Sequence, residues 1–302
     1  MAHPRLSKRW SVARAARLFV LALVIGVGIS QIILSVANWH LSDADAYWNA
    51  AVRLRDGGPL YPQLADPEAS DVYRYAPWFA WAWIPLTFLP HGIVNVVWSG
   101  VLLGASAAAL VPLVRMGAWT LVALFAPILF GISAIGNVQP LIVAALVLGV
   151  DRRSGPLWIA ATASLKAVPI ILVLTYIGRR QWSRAALAVS LTALLVAPML
   201  FYDLSHYPAG AGVAGLIPGG PIPYVTALIA GTIISVVRAR SAFGWLSSAT
   251  TAAVAIPRFF VYDLTFLMVA LPAGRFADAL GSGRDEPASR RRPDTASTPA
   301  ES

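Results

Sequence analysis

Two carboxylates one residue apart, Asp43 and Asp45, begin a polar stretch in a chain that is otherwise rich in hydrocarbon side chains. The stretch runs from Ser42 to Leu89 and opens with a predicted helix. Asp43 falls in the first turn of that helix, where the helix dipole favours an ionised carboxylate. An ionised carboxylate beside a membrane can accept the proton of a substrate hydroxyl, so Asp43 is the candidate general base.

Asp45 has two interpretations. If Ser42 is the N-cap, Asp45 stands three residues further on and fits a capping box, in which the two side chains satisfy free amides at the start of the helix. We favour that interpretation; the alternative is a second catalytic carboxylate. The sequence Asp43-Ala44-Asp45 also matches a metal-binding DxD motif, but two carboxylates without a further ligand nearby are weak evidence for a metal site. We therefore predict no metal and no cofactor.

Aromatic rings flank a cation in the sequence Tyr73-Arg74-Tyr75-Ala76-Pro77. Sugar rings present C–H faces that pack on aromatic rings, and a guanidinium binds phosphate oxygens through two parallel hydrogen bonds. The three side chains are therefore candidates for binding a phosphorylated sugar. The alternative is an aromatic belt at the membrane interface, with Arg74 snorkelling to water.

Lys166 is the only charged residue inside the apolar segment 156–177. A charge in such a segment is costly enough to suggest a function. A cation placed there would neutralise a phosphate that departs during the reaction, as fixed charges do for developing negative charge. The alternative is that Lys166 snorkels to the interface or pairs with a carboxylate in the membrane.

Two further pairs of polar residues are candidates for substrate binding. Asn137 and Gln139 follow Gly136 in a predicted turn, where they bind sugar hydroxyls or, alternatively, form hydrogen bonds between helices. Arg258 and Asp263 flank one predicted entrance to the membrane. These two either contact the substrate or only pair with each other.

The composition places the chain among membrane proteins. Its 58% hydrophobic residues, mean hydropathy of +0.68 and 12% charged residues exclude an ordinary soluble domain. The net charge of +9 does not indicate nucleic-acid binding, because the basic residues cluster in short groups between apolar runs. The absence of cysteine excludes disulfides, thiolate metal sites and cysteine nucleophiles.

The N-terminal third predicts a membrane anchor followed by a loop. A basic N-terminus, residues 1–17, precedes an apolar run over residues 18–37, and the positive-inside rule places this N-terminus in the cytoplasm. The run is too long for a typical signal peptide, which is the alternative, so we predict a first span. Residues 38–91 then form the first extracytoplasmic loop. It contains an interfacial helix that stops at Gly57 and Gly58, and a Trp-rich half-helix between Pro77 and Pro90.

The rest of the chain predicts a helical bundle. Crossings are predicted for Gly92–Val114, Trp119–Ile135, Leu141–Val150, Ala185–Tyr202, Tyr224–Val237, Ala242–Ile256 and Leu264–Ala273. Arginines on both sides of Pro156–Ile177 favour two short helices that enter and return, with Lys166 near the turn. The predicted fold class is an all-α polytopic membrane protein with about eight to ten transmembrane helices over residues 18–275. A disordered cytoplasmic tail, residues 276–302, follows.

Several of these motifs, taken in order, resemble the GT-C superfamily of glycosyltransferases, and most of all glycosyltransferase family 87. The first loop carries the family's spacing as Asp43, Tyr47, Ala50, Ala51, Gly57, Leu60 and Tyr61. Later segments that occur in the family's order are the Gly136–Gln139 turn, Lys166–Pro169, the group Arg179, Arg180 and Trp182, and Tyr262–Leu264. The resemblance covers roughly residues 18–275.

The resemblance implies a GT-C-like fold and a hexosyltransferase of the cell membrane with an extracytoplasmic active site. It implies a polyprenyl phosphosugar donor, with mannose the expected sugar, and a lipid or glycolipid acceptor. Asp43 would be the general base, and Tyr47 would belong to the substrate site. Two other classes stay open: a transporter or flippase of lipid-linked sugar, and a noncatalytic partner of a larger glycosyltransferase.

Overall fold

All regular secondary structure in the described part of the chain is helical. The computed structural model describes residues 41–63, 66, 72–207, 220–256 and 259–271, with scattered helical positions between residues 14 and 33. The α-helices are α1 (Ser42–Arg55), α2 (Pro77–Trp83), α3 (His91–Arg115), α4 (Trp119–Ser133), α5 (Gln139–Gly149), α6 (Gly155–Leu165), α7 (Val173–Gly178), α8 (Trp182–Val196), α9 (Pro221–Arg238) and α10 (Gly244–Val254). Four 3₁₀ helices span Ile84–Phe88, Val168–Leu172, Ala197–Phe201 and Val261–Ala270.

Helix α1 forms where the sequence predicts it but begins differently. Its apolar face buries Tyr47, Ala50 and Ala51, and the chain leaves the helix at Gly57 with a positive φ of 77°. The predicted capping box is wrong. Leu41 is the N-cap residue, Ser42 is already helical, and no side chain caps the helix.

Consecutive helices of the bundle run in opposite directions, so the loops that connect them lie at two opposite ends. Helices α3 and α4 are antiparallel, with the hydroxyls of Ser106 and Ser133 2.9 Å apart and Trp98 donating to the carbonyl of Gly136. We call the end that holds Asp43, the Gly136–Gln139 turn and Lys166 the cavity end, and the opposite end the basic end. The described arginines at the basic end are Arg115, Arg152, Arg153, Arg179, Arg180, Arg184, Arg238 and Arg240.

At the basic end, an ion pair and hydrogen bonds join the loop between α5 and α6 to the segments that follow α7 and α9. Arg179 forms a 3.1 Å ion pair with Asp151 and donates a 2.8 Å hydrogen bond to the carbonyl of Ala239. Trp245 donates to the same Asp151 carboxylate at 3.2 Å. The loops that precede α6 and follow α7 therefore lie at the same end of the bundle.

These contacts confirm the predicted hairpin around Lys166. Helix α6 ends at Leu165, Lys166 takes an extended conformation (φ −130°, ψ 120°), and the chain returns through Val168–Leu172 and α7. The Tyr176 hydroxyl near the end of the return donates 2.7 Å to the carbonyl of Val150, just before the outgoing helix. Lys166 consequently lies at the tip of the hairpin, at the cavity end.

Within the part of the chain that the structure describes, three helices are long and apolar enough to cross a membrane: His91–Arg115, Trp182–Phe201 and Pro221–Arg238. The last two bury only 11% and 6% of their apolar windows, which suits contact with lipid. Shorter apolar helices are Trp119–Ser133, Gln139–Gly149, Val168–Gly178 and Val261–Ala270. The molecule is therefore an α-helical protein of membrane character, and the number of eight to ten crossings stays a prediction.

The predicted Trp-rich half-helix and the last predicted crossing both form short helical segments. The Trp-rich stretch forms the short α2 followed by the 3₁₀ helix Ile84–Phe88, so it is a short helical segment, as predicted. The last predicted crossing is a 3₁₀ helix, Val261–Ala270. Because a 3₁₀ helix rises about 2.0 Å per residue, its ten residues cover about 20 Å. Most of the predicted first span, the loop 208–219 and the C-terminal tail lie outside the described residues.

Candidate functional site

A cavity of about 650 Å³ lies at the cavity end of the bundle. Its charged and amide side chains come from α1, the loop before α2, the α4–α5 turn, the tip of the hairpin and the start of the last 3₁₀ helix: Asp43, Arg74, Asn137, Lys166 and Asp263. Hydroxyl-bearing side chains that line it are Tyr47, Tyr75, Ser164, Tyr207 and Tyr262. Apolar side chains of Val196, Met199, Ile256 and Phe260 also line it. Two cations and two carboxylates thus share a cavity that has apolar walls.

Asp43 is fixed at the start of α1 by two contacts with the α4–α5 turn. Its backbone N–H donates to the carbonyl of Ile135 at 2.9 Å, and Asn137 Nδ2 donates to Asp43 Oδ2 at 2.6 Å. Burial raises the pKa of Asp43, while the Asn137 hydrogen bond and the charges of Lys166 and Arg74 act in the opposite direction. The carboxyl is therefore a stronger base than an exposed aspartate and faces the cavity.

Lys166 is held by two interactions at the tip of the hairpin. Its Nζ donates a 2.9 Å hydrogen bond to Gln139 Oε1 and lies 4.6 Å from the ring centroid of Tyr262. An ammonium over an aromatic face is attracted by the ring quadrupole. Lys166 therefore points into the cavity and does not snorkel away from it.

The Gly136–Gln139 turn joins the two charged groups to one piece of backbone. Gly136 has a φ of +80°, and a Cβ atom there would lie 2.7 Å from the Cβ of Ala44 and 2.9 Å from its backbone nitrogen. The turn therefore packs directly on the first turn of α1. Only glycine provides both the left-handed conformation and the close approach.

Replacing Gly136 with alanine is expected to damage both stability and the site. The new methyl group must push α1 away and adopt a strained backbone, which costs about 1–3 kcal/mol for the conformation alone. Thermal unfolding of the detergent-solubilised protein measures the loss. Gly117→Ala is the matched control, since Gly117 also has a positive φ (68°) but nothing within 4 Å of its Cβ position. Equal losses in the two variants would contradict tight packing of the turn on α1.

Asp45 lies on a different face of α1 from Asp43. Residues two apart on a helix do not face the same side, and Asp45 is not among the residues that line the cavity. Its Oδ1 lies 3.1 Å from His91 Nε2 at the start of α3, and the His91 ring packs on Trp48 at 4.6 Å. The carboxylates of Asp43 and Asp45, the two acidic residues of the DxD motif, therefore contact different neighbours.

The Tyr73–Tyr75 segment divides between the cavity and the protein core. Arg74 and Tyr75 line the cavity, whereas Tyr73 is 2% exposed and its hydroxyl donates to the carbonyl of Ala76 at 2.7 Å. The Tyr47 hydroxyl donates to Tyr75 at 3.1 Å, and burial raises the pKa of Tyr47. The phenols therefore stay protonated and brace the loop against α1.

The remaining predicted site residues are Gln139, Asp263 and Arg258, and the structure treats each of them differently with respect to the cavity. Gln139 is fully buried and lies behind the cavity wall. Asp263 lines the cavity, and its Oδ2 accepts a 2.9 Å hydrogen bond from the backbone N–H of Phe260. Arg258 lies outside the described residues, so its pairing with Asp263 stays a prediction.

Two tyrosines that line the cavity were not among the predicted site residues. Tyr262 packs under Lys166, and Tyr207 donates a 3.0 Å hydrogen bond to the carbonyl of Arg74. The position of Tyr262 beside Asp263 could have drawn attention to it. Nothing in the sequence around Tyr207 connects it to a loop 133 residues earlier.

No family model, curated protein sequence or solved structure is significantly similar to this chain. The function is therefore argued from the cavity and the chemistry of its side chains.

Proposed function

We propose that the protein is a membrane glycosyltransferase of the GT-C type that moves a hexose from a polyprenyl phosphosugar to a lipid or glycolipid acceptor. The observation that carries the proposal is the composition of the cavity. A carboxylate whose pKa is raised by burial and an ammonium held by two neighbours open into one space of about 650 Å³. That volume suits a sugar phosphate and part of an acceptor.

The proposed reaction is a direct displacement at the anomeric carbon. Asp43 takes the proton of the acceptor hydroxyl as the acceptor oxygen bonds to that carbon. The bond between the anomeric carbon and the phosphate oxygen breaks, and polyprenyl phosphate leaves with the bonding electrons. The sugar passes through an oxocarbenium-like state, and Lys166 or Arg74 meets the negative charge on the departing phosphate.

The walls of the cavity support a donor carried on a lipid. Val196 and Met199 belong to the end of α8 and the 3₁₀ helix after it, where Leu200 and Phe201 are 82% and 88% exposed. Large apolar side chains exposed on such a helix suit hydrocarbon rather than water. A prenyl chain could therefore approach the cavity from the lipid side, with its phosphate next to the cations.

The distribution of charge supports an extracytoplasmic active site. Eight described arginines lie at the basic end with Asp151, whereas the cavity end holds Asp43, Asp45, Asp56, Asp203 and Asp263 with Arg53, Arg55 and Arg74. Arginines near membrane helices favour the cytoplasmic side. The cavity would then open on the opposite side of the membrane.

Cysteine labelling in cells tests this orientation, because the native chain has no cysteine and gives no background. We expect a membrane-impermeant maleimide to label Ser205→Cys, at the cavity end, in intact cells. Arg153→Cys, at the basic end, should react only after the membrane is permeabilised. Both positions are exposed in the structure, so access by water is not limited by folding. The reverse pattern would place the cavity in the cytoplasm and end the proposal of an extracytoplasmic donor.

The activity itself is tested with purified protein and a panel of radiolabelled polyprenyl phosphosugars. We expect transfer from the mannose donor to extracted membrane lipids, and no transfer from a nucleotide sugar. Transfer from a nucleotide sugar alone would overturn the choice of donor. Movement of the donor across a vesicle membrane without transfer would indicate the flippase alternative.

A further inference from the structure

Asn137 and Gln139 connect the two charged groups of the cavity through consecutive hydrogen bonds. Asn137 Nδ2 donates to Asp43 Oδ2 at 2.6 Å, and Asn137 Oδ1 accepts the backbone N–H of Gln139 at 2.8 Å. Gln139 Oε1 in turn accepts from Lys166 Nζ at 2.9 Å. The carboxylate and the ammonium are thus the two ends of one chain that runs through a single turn.

The direction of each hydrogen bond in this chain is fixed by its chemistry. A backbone N–H only donates, so Asn137 must present its oxygen to Gln139 and its NH₂ group to Asp43. An ammonium also only donates, so Gln139 presents its oxygen to Lys166. The NH₂ group of Gln139 then donates to Thr265 Oγ1 at 3.2 Å, and Thr265 donates to the carbonyl of Tyr262. This series of hydrogen bonds is therefore compatible with an ionised Asp43 at one end and a charged Lys166 at the other.

The polar atoms of the two amides are committed to the protein. Gln139 is completely buried and Asn137 is 6% exposed. Each amide oxygen and each NH₂ group already has a protein partner. Gln139 has no exposed surface to offer a sugar, and Asn137 already uses one N–H and one oxygen lone pair within the protein, which favours a role in orienting the charged groups for both amides.

We propose that Asn137 and Gln139 are positioning residues, which hold the Asp43 carboxylate and the Lys166 ammonium in fixed orientations on the two sides of the substrate. Asn137 occupies Oδ2 of Asp43 and leaves Oδ1 for the acceptor hydroxyl. Gln139 holds Lys166 over Tyr262, where the departing phosphate would arrive. This role rests on the proposed transferase function and specifies how its site is organised.

The groups that face Asp43 determine what a titration would report. They are two cations, one further carboxylate and three phenols: Lys166, Arg74, Asp263, Tyr47, Tyr75 and Tyr207. Among the hydrogen bonds of the described residues, only that from Asn137 reaches the Asp43 carboxylate. Loss of this donor while the other groups remain should favour the protonated acid.

The test uses Asn137→Ser, which removes the donor to Asp43 and keeps the turn. A serine hydroxyl can accept the N–H of the residue two positions later, as Asn137 does now, but it is too short to bridge to Asp43. We expect kcat to fall about 100-fold with little change in KM, which is the cost of a reacting group displaced by about 1 Å. The acidic limb of the pH–rate profile should move to higher pH, because the base becomes easier to protonate.

Infrared titration of the carboxyl groups gives a measurement that does not depend on activity. The band missing from Asp43→Asn identifies Asp43, and we expect its midpoint in Asn137→Ser to move to higher pH. Ser106→Ala, which alters a buried hydrogen bond between α3 and α4 remote from the cavity, should leave the band unchanged. If no donor supports transfer, the function proposal fails, and the infrared midpoint still tests the role of Asn137. An unchanged midpoint, or a rise in KM alone, would overturn that role.

Gln139→Leu tests the other end of the chain with a side chain of similar size. We expect kcat to fall at least tenfold, because Lys166 loses its acceptor and Thr265 its donor. The Asp43 midpoint should move less than in Asn137→Ser, since Asp43 keeps its hydrogen bond from Asn137. Restored activity in Gln139→Glu, which keeps an acceptor for the ammonium, would separate positioning from packing. Wild-type kcat in Gln139→Leu would show that Lys166 does not need this partner.

Discussion

Asp43→Asn is expected to reduce sugar transfer from a polyprenyl phosphosugar by about 10²–10⁴-fold, the usual contribution of a general base. Asparagine keeps the size of the side chain but cannot accept the acceptor's proton. The side chain at this position, in the first turn of α1, already lies against Asn137, so the substitution changes charge more than packing. Initial rates with purified protein, at saturating donor, measure the loss.

Asp45→Asn is the matched control for this prediction. It makes the same chemical change two residues away, on a carboxylate that contacts His91 and does not line the cavity. We expect most of the activity to remain. Full activity in Asp43→Asn would remove the proposed mechanism, and a large loss in Asp45→Asn would restore the alternative of a second catalytic carboxylate. Unchanged lipid-linked sugar movement in both variants, without transfer in either, would favour the flippase.

Lys166→Met is expected to lower kcat by about 10²–10³-fold, as the loss of one preorganised group facing developing charge does. Methionine fills a similar volume at the tip of the hairpin but removes one of the two cations that line the cavity, leaving Arg74 alone to face the departing phosphate. KM for the donor should rise as well, because the phosphate is already charged in the ground state. A steady-state comparison of kcat and KM with the wild-type protein separates the two effects.

Arg180→Gln provides a control for the loss of a positive charge. Arg180 lies at the basic end, in the turn between α7 and α8, with a left-handed φ of 59°. Its loss alters the net charge by the same amount but leaves the cavity unchanged, so we expect kcat near the wild-type value. Equal losses in the two variants would show that Lys166 acts through general charge or folding rather than through the phosphate.

Several features of the fold followed from local patterns in the sequence. The apolar spacing of Tyr47, Ala50 and Ala51 predicted α1, and the glycines after it predicted its end. The arginines around the segment 156–177 predicted a hairpin with Lys166 at its tip, and the ion pair of Arg179 with Asp151 supports that geometry. These predictions held because amphipathic periodicity and charge near a membrane act on a few neighbouring residues at a time.

Other features depended on contacts between distant segments. The capping box at Ser42 did not form because the helix begins one residue earlier, so the Asp45 N–H bonds to the Leu41 carbonyl; the Asp43 N–H bonds to the distant Ile135 carbonyl before the α4–α5 turn. The Tyr73 hydroxyl bonds within its own loop, to the carbonyl of Ala76, whereas the hydroxyl of Tyr207 reaches the carbonyl of Arg74 from a later loop. The local sequence offers each of these side chains several partners, and the tertiary packing selects one.

The sequence by itself determined that the chain is helical, that it has membrane character, and which charged residues stand apart from the arginine groups. Only the tertiary structure decided that Asp43 and Lys166 open into the same cavity and that Asp45 does not. The physical reason is that the side of a helix on which a residue lies follows from its local period, whereas the neighbour it meets depends on how helices far apart in the chain pack. The Gly136–Gln139 turn supplies that long-range link.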